Sequence, residues 1–198
     1  MNFAYGQHWI ISKFVVDRPS IAHVSGSSDN KLRHTRSRQY AVIKTEFGRK
    51  NMSDILHKIG IKSSSPDDAY EALATVEGLS RWWTSDTRGE SKVSGVLQFR
   101  FGAGGFDMKV LQLQPAKHVL WQVIDGPDEW LGTKVNFDLK KNDDWTIVLF
   151  KHTGWKEPVE FMHHCSTKWA VFLLSLKALL ETGYGRPWPN EIKLDSWE

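Results

Sequence analysis

Cysteine is almost missing from this chain of 198 residues; Cys165 is the only one. That excludes an internal disulfide and any zinc site built on clustered cysteines, and it suits a reducing, cytoplasmic setting. No run of eighteen apolar residues occurs, so no segment reads as a membrane-spanning helix. The glycine-rich stretch Gly102-Ala103-Gly104-Gly105 leads into a strand pattern, and no helix follows it to receive a phosphate, which removes a dinucleotide site. Neither G-x-S-x-G nor H-E-x-x-H is present. No catalytic residue, metal ligand or cofactor is therefore assigned. Acidic residues are scarce at one end only. Residues 1–51 hold nine Lys/Arg and three Asp/Glu, whereas residues 52–198 hold 17 against 20. The sequence pI near 8.9 thus belongs to the N-terminal stretch, and no nucleic-acid partner is inferred from it.

That basic stretch shows no sustained period of 2 or 3.6. Trp9 to Val16 is broken by Ser12 and Lys13 and fails as a signal-peptide core. Ser25 to Arg38 is rich in Ser, Asn and Arg and reads as disordered. Residues 1–51 are expected to be a disordered or weakly structured extension, with a folded domain over 52–198. Met52 is a natural boundary because strand-like sequence follows it at once.

What the chain has in quantity is bulk. Ten Trp and ten Phe supply large apolar volume, and from Ile55 onward they fall into order. Ile55, Ile59 and Ile61 alternate on one face of a strand. Ser65-Pro66-Asp67-Asp68 is a capping box opening a short helix, and a second short helix over Thr75 to Arg81 ends at Trp82-Trp83. Five period-2 runs follow, separated by hairpin-length turns: Val96–Phe101, Phe106–Leu113, Val119–Ile124, Thr133–Leu139 and Trp145–Thr153. In the second run Leu111 and Leu113 leave the phase set by Phe106, Met108 and Val110, which predicts a bulge. The longest helical pattern closes the chain, from Pro158 to Gly183. Met162, Cys165, Trp169, Phe172, Leu173, Leu176 and Leu180 form its inward stripe. Ala170, Val171, Leu174 and Ala178 make a second apolar patch, suited to a second copy of the chain or to the N-terminal segment.

The order predicts an α+β domain: a six-stranded antiparallel curved sheet wrapped around a long C-terminal helix, with two short helices after the first strand. This arrangement resembles the helix-grip fold of the START-like (SRPBCC) superfamily. The stretches that carry the likeness are EGLSRWWTSDTRGE (Glu77 to Glu90), FRFGAGGFDMKVLQLQP (Phe99 to Pro115), WQVIDGPDEWLGTKVNFDL (Trp121 to Leu139) and HTGWKEPVEFMHHCSTKWAVFLLSLKALLETG (His152 to Gly183). They are most similar to bacterial members described as activators of heat-shock-protein ATPase homologues. The resemblance implies the fold; the superfamily hosts many activities.

A curved sheet gripping one helix leaves room between them. The residues expected to face a ligand there are Trp83, Phe99, Phe101, Met108, Trp121, Trp130, Phe137, Trp169 and Phe172. Core packing is the competing reading for each. As a set they imply a small hydrophobic or amphipathic ligand. His163, His164 and Cys165 invite a catalytic reading, but successive helical positions differ by about 100° and do not share a face. Cys165 belongs to the core stripe. The alternative readings are an enzyme of cyclase, dehydratase or hydrolase type, and a co-chaperone-like partner-binding domain. The enzyme would use His164 or the carboxylate loop Asp125, Asp128 and Glu129 beside Trp130 for proton transfer, against the plainer reading of a solvated turn.

Overall fold

The computed structural model describes residues 53–194. The expected N-terminal extension over 1–51 lies outside the described residues. The elements, in chain order, are β1 (Ser53–Lys62), α1 (Pro66–Ala74), α2 (Val76–Ser80), β2 (Asp86–Gly89), β3 (Val96–Phe101), β4 (Gly104–Gln114), β5 (His118–Asp125), β6 (Lys134–Asn142), β7 (Trp145–Trp155) and α3 (Glu160–Thr182). They form one antiparallel sheet ordered β1-β7-β6-β5-β4-β3-β2.

The sheet has seven strands rather than six. The extra one, β2, pairs Asp86–Gly89 with Arg100–Leu97. Its sequence, DTRG, buries only Thr87 and has no apolar alternation to announce it. The expected bulge is present, with the β4–β5 register slipping between Val110 and Gln112. Strand alternation sets the core: Leu97 and Phe99, then Met108 and Val110, then Val119 and Trp121, then Val135 and Phe137, then Val148 and Phe150 all point inward and are at most 1 % exposed.

The capping box forms as the sequence dictates. Ser65 Oγ accepts from Asp68 N–H at 3.0 Å, and Asp68 accepts from Ser65 N–H at 2.9 Å. The Asp68 carboxyl is held below its usual range by these bonds from the Ser65 backbone and side chain. Thr75 caps the second helix through Gly78 N–H. The long helix starts later than its pattern suggested. Val159, in extended conformation, is the N-cap, so Pro158 precedes the helix. It ends at Gly183, whose φ of 84° is the left-handed cap that favours glycine.

The stripe Met162, Cys165, Trp169, Phe172, Leu173 and Leu176 is buried, with Ser175 and Leu179 joining it. Leu180 is half-buried at its margin. Each large apolar side chain buried here contributes up to about 1.5–3 kcal/mol. Polar contacts fix the helix against β1: His57 Nε2 lies 3.0 Å from Ser166 O, and Lys177 Nζ donates to Gly60 O at 2.6 Å. Among the described residues no helix is long and apolar enough to cross a membrane.

Candidate functional site

Between the β3–β4 end of the sheet, the β5–β6 loop and the first half of α3 lies a cavity of about 380 Å³. Its walls are mostly aromatic. Trp83, delivered by the turn after α2, packs 4.7 Å from Trp169 and 5.5 Å from Phe106. Trp130 is stacked on Trp169 at 6.1 Å and lies 4.7 Å from Phe106. Phe101 bridges Phe172 on α3 and Trp188 beyond it.

Of the nine residues expected to face a ligand, the structure brings five to the cavity wall: Trp83, Phe101, Trp130, Trp169 and Phe172. The other four, Phe99, Met108, Trp121 and Phe137, are fully buried one layer behind it. The Trp83 ring packs against two of them, 4.2 Å from Phe99 and 5.9 Å from Trp121. Trp82, the other half of the pair, turns into the core and donates its indole N–H to Ala72 O at 2.9 Å.

One determinant of the wall was not singled out in the sequence. His152 on β7 is wholly buried and sits at the centre of a polar relay. Trp169 Nε1–H donates to His152 Nδ1 at 3.2 Å, and His152 Nε2 lies 2.8 Å from Thr133 Oγ1, which donates to Trp130 O at 2.6 Å. Because an indole nitrogen only donates and the threonine hydroxyl proton is already used, the ring is the neutral Nε2–H tautomer. Burial pushes its pKa down to about 3. The relay ties the ring of Trp169 to the loop that carries Trp130. Its signal was present in the sequence: His152 shares the inward phase of Val148 and Phe150.

The wall's second unforeseen contributor is the segment after α3. Trp188 N–H donates to Trp83 O at 2.9 Å, and Ser85 N–H donates to Trp188 O at 3.2 Å. Arg186 N–H donates to Ser175 Oγ at 2.7 Å. These bonds lay Trp188, Glu191 and Lys193 against the cavity.

The reactive-looking helix residues do not assemble into a set. Cys165 lines the cavity but is 3 % exposed, and burial pushes its thiol up to about 12, aided by the nearby Glu129 charge. A thiol held that high is no nucleophile at neutral pH. His163 is exposed. His164 reaches the cavity wall, with its ring stacked on Phe161 at 6.3 Å. Asp125, Asp128 and Glu129 are exposed, so His164 is the one proton-transfer candidate that the structure places at the cavity. Among the described residues no cluster of His, Cys, Asp and Glu is arranged to hold a metal ion.

A sheet gripping a long helix over an aromatic cavity defines a helix-grip domain of the START-like kind. The chain matches "Activator of Hsp90 ATPase homolog 1-like protein" over residues 63–181, more than half its length, and belongs to that family. Its structure is similar to the solution structure of the Aha1 dimer from Colwellia psychrerythraea, at 47 % identity and a TM-score of 0.63, covering 68 % of this chain and all of that one. A protein from Staphylococcus saprophyticus (15 % identity, TM-score 0.57, 67 % and 95 % covered) shares the fold. So does CalU16 from Micromonospora echinospora (14 %, 0.54, 65 % and 74 %). No curated protein matches the sequence. The fold is consistent with binding in a hydrophobic cavity.

Proposed function

We propose that this domain binds a small hydrophobic or amphipathic molecule in the cavity between sheet and α3, with Trp83, Phe101, Trp130, Trp169 and Phe172 in contact with it. The observation that carries the reading is the cavity itself, about 380 Å³ of space walled by aromatic rings. A neutral lipophilic dye, N-phenyl-1-naphthylamine, should gain fluorescence on the wild-type protein. Trp169→Ala should lose most of that gain while keeping its circular dichroism spectrum. A folded wild-type protein that leaves the dye dark would defeat the proposal. We also propose a cytoplasmic setting, which a single free, buried cysteine, Cys165, suits.

A second copy of the chain is the further partner we propose. Leu174 is 57 % exposed and lies among Ala170, Val171 and Ala178 on the outward face of α3, and the 47 % identical Colwellia protein is described as a dimer. Light scattering should give a dimeric mass, reduced to that of a monomer by Leu174→Asp. A wild-type protein that stays monomeric at high concentration would sink this reading. Action on a heat-shock chaperone draws on the family's name alone.

A further inference from the structure

The sheet has one long edge, β1, and that edge is half closed. β1 stands at the end of the strand order and pairs on one side only, with β7. In an antiparallel strand, alternate residues turn both backbone groups to the same side. Two helix side chains show which residues of β1 face away from β7. Lys177 Nζ donates to Gly60 O at 2.6 Å, and Lys62 N–H donates to Glu181 Oε1 at 2.7 Å. From Ile55 to Lys62 the pairing with β7 is regular, so Leu56 and Lys58 turn their N–H and C=O groups the same way. Among the described residues no α3 side chain takes those groups. At this level α3 stays above the inner face, where the His57 ring meets Ser166 O at 3.0 Å. The clasp of Lys177 and Glu181 thus ends at Gly60, and an uncapped edge runs from Asp54 to Lys58. Asp54, Leu56 and Lys58 are all exposed there, Leu56 by 63 %. Asp54 is held at the start of the strand by accepting from Gly154 N–H at 3.2 Å.

Unpaired backbone groups around an exposed apolar residue are a template for a further strand. Resting on the second-copy reading above, we propose that the second copy docks at this edge, the two β1 strands pairing antiparallel about a two-fold axis at Leu56. The side chains are self-complementary in that register. Leu56 meets the partner's Leu56, Asp54 meets the partner's Lys58, and Lys58 meets the partner's Asp54, so an opposite-charge pair forms on each side of the axis. Parallel in-register pairing would set each charge against its like. The open stretch is also the right length, since it ends where the clasp begins. Leu174, the exposed residue of the α3 patch, stands three and seven residues before Lys177 and Glu181, on the flank of the helix that touches β1. The α3 patch and the β1 edge are therefore neighbouring parts of one surface.

Analytical ultracentrifugation of the full chain, with cross-linking, tests the pairing. The wild type should dimerise. Lys58→Asp sets two carboxylates together on each side of the axis and should raise the dimer Kd about tenfold; adding Asp54→Lys should bring it back toward the wild-type value. Residues paired in this way have Cα atoms about 5.5 Å apart, within the span of a disulfide. Leu56→Cys treated with copper–phenanthroline in air should therefore run as a covalent dimer on a non-reducing denaturing gel. Val93→Cys is the control, because Val93 is 56 % exposed but lies between β2 and β3 at the opposite edge of the sheet; it should run as a monomer. A dimer that keeps its affinity in Lys58→Asp and does not cross-link through Leu56→Cys overturns the strand pairing, whatever else covers the edge. If Leu174→Asp still dissociates that dimer, the second-copy reading stands without it. A wild-type chain that stays monomeric removes both. The substituted side chains are exposed, and circular dichroism checks that each variant is folded.

Discussion

Replacing His152 with Gln should flatten the dependence of stability on pH between pH 8 and pH 5. In the folded domain His152 is wholly buried and neutral, with its pKa down to about 3 against an ordinary 6.5. The unfolded chain therefore binds the extra proton first. Between those two values the unfolded state holds more protons than the native state, so stability is full above about pH 6.5 and is lost as pH falls toward 3. Two-state linkage gives a loss of about 2 kcal/mol by pH 5 from this one group. The carboxyls of Asp68, Asp138, Glu181 and Glu191 are also held below their ordinary values of 3.8 and 4.5. They withdraw their stability below that range, so the window from pH 8 to pH 5 isolates the histidine. Glutamine is the informative substitute because its amide can accept from Trp169 Nε1–H and donate to Thr133 Oγ1 without ever taking a charge. Urea unfolding followed by tryptophan fluorescence at pH 8, 6.5 and 5 measures the effect. A His152→Gln variant that loses the same 2 kcal/mol or so as the wild type would show that the proton does not enter here.

Thr133→Val should cost about 1–3 kcal/mol, because it leaves His152 Nε2–H unpaired in the core; chemical denaturation at pH 8 reads it, and an unchanged midpoint would contradict the relay. Gly126→Ala should destabilise by at least about 1 kcal/mol. Gly126 has φ of 136°, and a Cβ there would sit 2.6 Å from Phe106 Cβ, pushing on a ring that walls the cavity. Dye affinity should fall together with thermal stability, and an unaltered melting temperature would refute the contact. Ser65→Ala removes the acceptor for Asp68 N–H and should lower stability by about 1 kcal/mol at neutral pH, as measured by the urea midpoint.

The sheet was legible because its inward face is written in period 2. Val119, Trp121 and Val123 announce β5, and even the bulge of β4 shows as Leu111 and Leu113 stepping out of phase. What escaped was whatever does not depend on apolar alternation. β2 is four residues held by pairing to β3. Glu191 is a charged residue in a Gly- and Pro-containing tail, buried because two lysines, Lys168 and Lys193, neutralise it, and no local pattern marks a pairing made across the fold. His152 sits in phase with Val148 and Phe150, yet a lone histidine on an inward phase gains meaning only when Trp169 and Thr133 arrive beside it. The split between the five wall residues and the four behind them is a packing outcome, set in part by the Trp83 ring against Phe99 and Trp121.

The place of β1 in the sheet has a consequence for how the domain comes together. From β3 to β7 every strand pairs with the one made just before it, so the meander can zip up by local hairpins. The first described strand has no such neighbour. Asp54 meets Gly154 across 100 residues, and His57 meets Ser166 across 109. During synthesis β1 is therefore made first of the described elements and completed among the last, with Ile55, Ile59 and Ile61 waiting for β7 and α3. Closing that long loop is the slow, entropically expensive step, and until it closes the unpaired isoleucine edge is the segment most open to association with other chains.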